Sequence, residues 1–317
     1  MKYNYWNRLI RPSTRAFIKE AWHTQDYSLF DWLHGYVYAR WPYFYIGIGT
    51  GEHRLARPLG RLFGLFQRSK NGHKPGENKP QAVARGSDRV TFADTYHGKV
   101  VPLESAKRLI TVREDIKLTN LEQIIPYARA RDIVLQNPDH IVVLECPCRA
   151  SRPNPCSPLN VCLIVGEPFA SFVAEHHTAR SRWITQAEAV EILEAEHERG
   201  HVHHAFFKDA MLDRYYAICN CCACCCGAMQ AWRNGIPMLA SSGYVSRVDE
   251  QACIGCGTCA EYCQFGALSI ADGLAVVDVE HCMGCGVCAS KCVEEAISLV
   301  REPGKGAPLE IQQLMMN

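Results

Sequence analysis

No cysteine occurs in the first 145 residues of this chain of 317, and all 18 lie between Cys146 and Cys292. No stretch supplies the roughly 20 uninterrupted apolar residues that a membrane-spanning helix needs. The opening "MKYNYWNRLIRPSTRAF" lacks the apolar central run and small-residue cleavage site of a secretory signal, and no Arg-Arg pair marks a twin-arginine signal. These absences point to the cytoplasm, and the composition of the front end adds the inner face of its membrane. There thiols stay reduced, so dense cysteine implies metal or catalysis rather than disulfides. A G-x-G-x-x-G between strand and helix, a G-x-S-x-G elbow and an H-E-x-x-H pair are all missing, which removes several familiar enzyme sites. "GTGEHR" (49–54) has no Gly-Lys-Ser/Thr ending and is no phosphate loop. With no helix-turn-helix pattern, no basic recognition helix and a net charge of only +1, no nucleic-acid partner is expected.

What is present is unevenly placed. Residues 1–70 hold 11 Lys/Arg against 4 Asp/Glu, so the rest of the chain carries a surplus of negative charge. The same segment holds 16 of the 30 aromatic residues. "FDWLHGYVYARWPYFYIGIG" (30–49) is aromatic and apolar, but Asp31, His34, Arg40 and Pro42 interrupt it. "LARPLGRLFGLF" (55–66) sets Leu55, Leu59, Leu62, Phe63 and Phe66 at helical spacing. Such a basic, aromatic segment suits docking on a redox partner, on another subunit or peripherally on a membrane; the plain alternative is a helical subdomain filled by its own rings. "SKNGHKPGENKPQ" (69–81) reads as linker.

The strongest signal is a repeat. "CIGCGTCAEYC" (253–263) and "CMGCGVCASKC" (282–292) are both C-x2-C-x2-C-x3-C, offset by 29 positions, with Gly257 and Gly286 after the second cysteine of each. The β-prone pieces "ALSI" (267–270), "AVVDV" (275–279) and "AISLV" (296–300) accompany them. Two four-thiolate zinc sites are the alternative to iron, although zinc has no need of this duplicated spacing. The repeat resembles the bacterial ferredoxin domain that binds two [4Fe–4S] clusters, over about residues 246–302. The resemblance implies that Cys253, Cys256, Cys259 and Cys292 ligate one cluster, and Cys282, Cys285, Cys288 and Cys263 the other. One departure is plain: the proline that usually follows the fourth cysteine is replaced by Gln264 and Val293.

Ten further cysteines lie upstream. "HIVVLECPCRASRPNPCSPLNVC" supplies Cys146, Cys148, Cys156 and Cys162, and "CNCCACCC" supplies Cys219, Cys221, Cys222, Cys224, Cys225 and Cys226. "HIVVL" (140–144) reads as a buried strand that ends near Cys146, followed by a proline-rich irregular loop. Between the two groups "ITQAEAVEILEAEHERG" starts with Thr185 and Glu188 in capping-box spacing, stops at Gly200, and lays Val190, Leu193 and His197 along one face. Adjacent cysteines bridge only with severe distortion, zinc occupies only some of these thiols, and a bare row of them oxidises. An iron–sulfur cluster uses the crowding best: ten thiols suffice for two more four-thiolate clusters with two left over, or for one cluster, a non-cubane form included. The region resembles the cysteine-rich part found ahead of a ferredoxin domain in multi-cluster redox proteins, and no named activity follows from that. "HVHH" (His201, His203, His204) and "EHH" (His176, His177) could ligate a metal or carry a proton, but without spaced carboxylate or His partners they read as polar loop.

The expectation is an α+β protein: a helical aromatic docking segment (1–70), a linker (71–90), an α/β cysteine-rich domain (91–245), a ferredoxin-like domain with short β-hairpins (246–302) and a tail (303–317). It would relay single electrons through several [4Fe–4S] clusters as a subunit or partner of a larger oxidoreductase. The alternative is a reductase whose central cluster is itself the catalytic site.

Overall fold

The structure, a computed structural model, describes residues 10–56, 92–119 and 121–316. The linker 71–90 and residues 57–66 of the second aromatic stretch lie outside the described residues. Three helices lead: α1 (Pro12–His23), α2 (Leu29–Arg40) and α3 (Pro42–Gly49). A capping box starts α2, with Ser28 and Asp31 each bonding the other's backbone N–H. A short helix α4 (Phe92–Thr95) precedes β1 (Tyr96–Val101) and α5 (Leu103–Ile110). Then come β2 (Ile116–Leu118), β3 (Ile133–Glu145), α6 (Pro147–Ala150), β4 (Asn160–Glu167) and α7 (Phe169–His176). β5 (Ser181–Ile184), α8 (Gln186–Glu198), β6 (Val202–Lys208), β7 (Arg214–Cys221), α9 (Gly227–Arg233) and β8 (Leu239–Ala240) complete the large unit.

The eight strands form one sheet in the order β2-β3-β4-β7-β6-β1-β8, with β5 paired to β3. The chain mixes helices and sheets as expected, but the central part departs from the expected α/β pattern. Every pairing between the sheet's named strands is antiparallel except β1 with β8, because neighbours such as β6 and β7 are joined by a tight connection with no room for a crossover helix. α8 starts as its sequence says, Thr185 accepting from the Glu188 N–H at 3.1 Å, and Gly200 ends it at φ +81°. The box is not closed, because the Glu188 carboxylate turns instead to Arg182.

Strand alternation divides the interior in two. Ile141, Val143, Leu163, Val165, Phe207 and Ile218 face a core closed by Leu109 of α5, Leu193 of α8 and Ile311 of the C-terminal helix α12 (Ile311–Met316). Val142, Leu144, Cys162, Ile164, Phe206 and Cys221 face the opposite core, closed by Phe17 of α1, Tyr38 of α2 and Phe169 and Phe172 of α7. The aromatic front end therefore fills the core of the cysteine-bearing unit, with Phe17 edge-on to Phe169 and Phe172 at 5.8 Å. Trp22, Leu29, Phe30 and Leu33 stay exposed. Among the described residues no helix is long and apolar enough to cross a membrane.

"HVHH" is not the polar loop expected. His203 and His204 lie inside β6, both fully buried, because β6 sits mid-sheet with both faces covered. Burial lowers His203 to about 4 and His204 to about 3, so both are neutral near pH 7. His201 precedes the strand and is also buried, while His176 and His177 end α7.

The C-terminal unit is built from β9 (Tyr244–Val248), α10 (Thr258–Glu261), β10 (Leu268–Ala271), β11 (Leu274–Val277), α11 (Val287–Ser290) and β12 (Ile297–Arg301). Only β10–β11 is a hairpin; β12 returns to pair with β9, the strand that enters the unit.

Candidate metal centres

The sheet sorts the ten central cysteines into two groups. Cys219 and Cys221 share one face of β7 because they are two residues apart, and Cys162 of β4 stands directly opposite Cys219. Cys146 precedes α6, Cys148 lies in its first turn, and Cys226 caps α9. These six line one cavity, which Cys222 and Cys225 also reach, roofed by Tyr38, Pro42 and Ile46 of the front helices. Their thiols neighbour one another in an unbroken series: Cys221–Cys226–Cys148–Cys146–Cys162–Cys219.

Cys222, Cys224, Cys225 and Cys156 form the second group, with all four sulfurs within 4.8 Å of one another. Cys156 crosses from its loop to lie 2.9 Å from Cys224, which is exposed. Crowding and burial resist ionisation at most of the buried thiols, whereas at exposed Cys224 burial is outweighed by hydrogen bonds from Cys156, Cys222 and Cys225, which lower it. Burial, then the Cys224 thiol, pushes Cys156 up to about 12, and its neighbour Cys148 heads the causes that push Cys146 up to about 12. A cation that takes several thiolates at once relieves that repulsion.

A buried cation stands beside both groups. The Arg149 guanidinium, 1% exposed, pairs with Glu196 at 2.6 Å and donates to the Asn220 carbonyl at 3.0 Å, with Cys146 and Cys222 near enough to act on its charge. His201 Nδ1 meets the same Glu196 carboxylate at 2.7 Å. Burial alone would raise the Glu196 pKa, but His201 and Arg149 outweigh it and hold the group below the usual carboxylate value. The same cavity is lined by Tyr38 and Tyr216, whose hydroxyls meet at 2.7 Å, with Tyr96 beside them.

In the C-terminal unit Cys253, Cys256, Cys259 and Cys292 line a single small cavity. Cys263 joins Cys282, Cys285 and Cys288, its charge acting on the latter two. Backbone donors already aim at sulfur: Ala275 N–H to Cys253 at 3.4 Å, Ala267 N–H to Cys263 at 3.2 Å and Ser246 N–H to Cys282 at 3.5 Å. N–H donors aimed at thiolate sulfur are a way in which proteins set an iron–sulfur potential. The residues present thus fit the group. Gly257 and Gly286 take φ near +85° and +84° at the helix starts, where L side chains strain.

Residues 246–269 match the 4Fe-4S binding domain family. No curated protein and no solved structure matches the chain. The match covers the first cysteine run, and the second repeats its spacing.

The 4Fe–4S binding unit is docked on the central cysteines by the residue that replaces the usual proline. Gln264 Oε1 accepts a hydrogen bond from the Ala223 N–H at 2.8 Å, inside "CNCCACCC". Phe265 meets Trp232 of α9 edge-on at 5.2 Å, and Lys291 pairs with Glu198 at the end of α8. Val293, the other replacement, is exposed and makes no such contact. Gln264→Leu should leave the Ala223 donor unpaired and cost about 1–3 kcal/mol, read as a lower denaturation midpoint of the anaerobic protein.

Sequence reasoning missed Arg149, Glu196 and the tyrosines. One signal was present: Glu196 falls in the buried stripe Ala189, Leu193, Glu196, His197 of α8, where a carboxylate needs a partner.

Proposed function

We propose that the chain relays single electrons through several [4Fe–4S] clusters, as a partner or subunit of a larger oxidoreductase. Cys253, Cys256, Cys259 and Cys292 would hold one cluster, Cys282, Cys285, Cys288 and Cys263 a second, and Cys156, Cys222, Cys224 and Cys225 a third. The six thiols of the central cavity hold a further iron–sulfur unit. Each cluster, when bound, supplies a reversible one-electron couple.

The observation that carries this reading is the Gln264–Ala223 hydrogen bond: residue 264 follows a ligand of the second cluster, and residue 223 lies between ligands of the third. The protein's own part is to fix those thiols, shield them and direct N–H donors at them. Cys256 and Cys224 are the two exposed cysteines, so these two groups are where redox partners would exchange electrons. Iron and acid-labile sulfide on anaerobically purified protein test the reading. About 16 irons or more per chain are expected, and about eight would mean that only the C-terminal repeat is loaded.

The cavity beside the six thiols, with its converging phenol hydroxyls, favours a second reading as a reductase acting on a small molecule there. An open iron facing that cavity would change its electron paramagnetic resonance signal when cyanide is added; an unchanged signal leaves relay alone.

A further inference from the structure

We infer that the six-thiol cavity holds one fused iron–sulfur unit of about eight irons rather than a single cubane. The inference deepens the proposed function and rests on its assignment of iron to the central cysteines.

The argument begins with a count. A cubane takes one terminal thiolate per iron, so four complete it. Eight cysteines line the cavity, and setting aside Cys222 and Cys225, which group with Cys156 and Cys224, leaves six: Cys146, Cys148, Cys162, Cys219, Cys221 and Cys226. The neighbouring site cannot use the surplus, because Cys156, Cys222, Cys224 and Cys225 already give it four sulfurs within 4.8 Å of one another. Two of the six would then remain as uncommitted thiols beside a cluster, in a site with four of its cysteines no more than 7% exposed.

The geometry offers no natural way to leave two out. The thiols neighbour one another in one continuous series, with no break between a set of four and a spare pair. They come from β4, β7, the end of β3 and the starts of α6 and α9, so the series surrounds the cavity rather than lining one wall. Two cubanes that share bridging sulfur need fewer terminal thiolates per iron than two separate ones, and six thiolates match such a unit of about eight irons.

Charge and hydrogen bonding agree. Six thiolates in a buried site need compensation, and Arg149 supplies one positive charge beside Cys146 while itself committed to Glu196. A larger iron complement supplies the rest. Tyr38 and Tyr216, whose hydroxyls meet at 2.7 Å, line the same cavity, with Cys219 near enough to act on both.

The test uses the full chain purified anaerobically, with iron and sulfide analysis, Mössbauer spectroscopy and six single Cys→Ser variants of this cavity. The expected result is about 20 irons per chain, twelve in three cubanes and eight in the fused unit, and every one of the six variants losing iron and altering the same Mössbauer component. About 16 irons, with two of the variants spectroscopically silent, would overturn the inference in favour of an ordinary cubane. About 12 would overturn it by leaving the cavity without iron while the third cubane stands. About eight would defeat the central-cluster reading as a whole and this inference with it. Should the variants fold poorly, the wild-type iron count and Mössbauer ratio still decide.

Discussion

Arg149→Met is expected to destabilise the protein by about 3–5 kcal/mol, because it strands a buried carboxylate. Glu196 is 1% exposed, and Arg149 is its closest fully buried cationic partner at 2.6 Å. Arg199 reaches the other carboxylate oxygen from the surface at 3.0 Å and His201 shares the first, so part of the charge stays compensated and the lower half of the range applies. The same substitution removes the donor to the Asn220 carbonyl and the positive charge facing Cys146 and Cys222. Both central sites should therefore lose iron, while the C-terminal unit keeps its own. Adding Glu196→Leu to Arg149→Met should recover a measurable part of the stability loss, since removing both members of a buried pair costs less than removing one. Denaturant midpoints of the two variants, with iron analysis alongside, check this; a double variant no more stable than the single one would contradict the pairing argument.

Gly284→Ala is expected to cost about 3 kcal/mol and to empty the site of Cys282, Cys285 and Cys288. Gly284 has φ +64°, where an L residue pays about 1–2 kcal/mol. A Cβ there would also run into the Tyr244 carbonyl and the Ser242 hydroxyl, which itself donates to the Gly284 carbonyl at 2.7 Å. Relieving that overlap means moving β9 away from the cysteine loop, at about 1–3 kcal/mol more. Gly286→Ala is the control. It has φ +84° but meets only the Leu299 side chain, at 3.1 Å, so the cost of its left-handed backbone should dominate. Thermal midpoints and iron content separate the two: Gly284→Ala should lose about four irons per chain, and Gly286→Ala should keep them.

Much of the metal chemistry was readable because its information is local. The spacing of Cys253–Cys263 and Cys282–Cys292 lies within eleven-residue runs, and the family match falls on the first of them. The helix Gln186–Glu198 was equally readable, since Thr185, the apolar stripe and Gly200 all act within a few residues. His203 and His204 were not. Their strand is covered on both faces, so burial leaves no alternation to read, and two histidines in sequence look like loop until both faces are seen to be closed. The sequence also could not say which core the aromatic front end fills, because a ring at position 17 or 38 has the same composition whichever surface it meets.

The chain's amino-acid order alone determined that thiols would be concentrated in two regions, that one carries a duplicated iron–sulfur spacing, and that a capped helix separates the central groups. Tertiary structure alone decided how the ten central cysteines divide. Cys162 faces Cys219 through strand pairing, and Cys156 reaches Cys224 across 68 positions. It also turned Gln264, at first sight a missing proline, into one of the contacts between units. The physical reason is that ligand spacing within a loop is set by a few covalent bonds. Which distant loops meet is set instead by sheet register and by which face of each strand is buried.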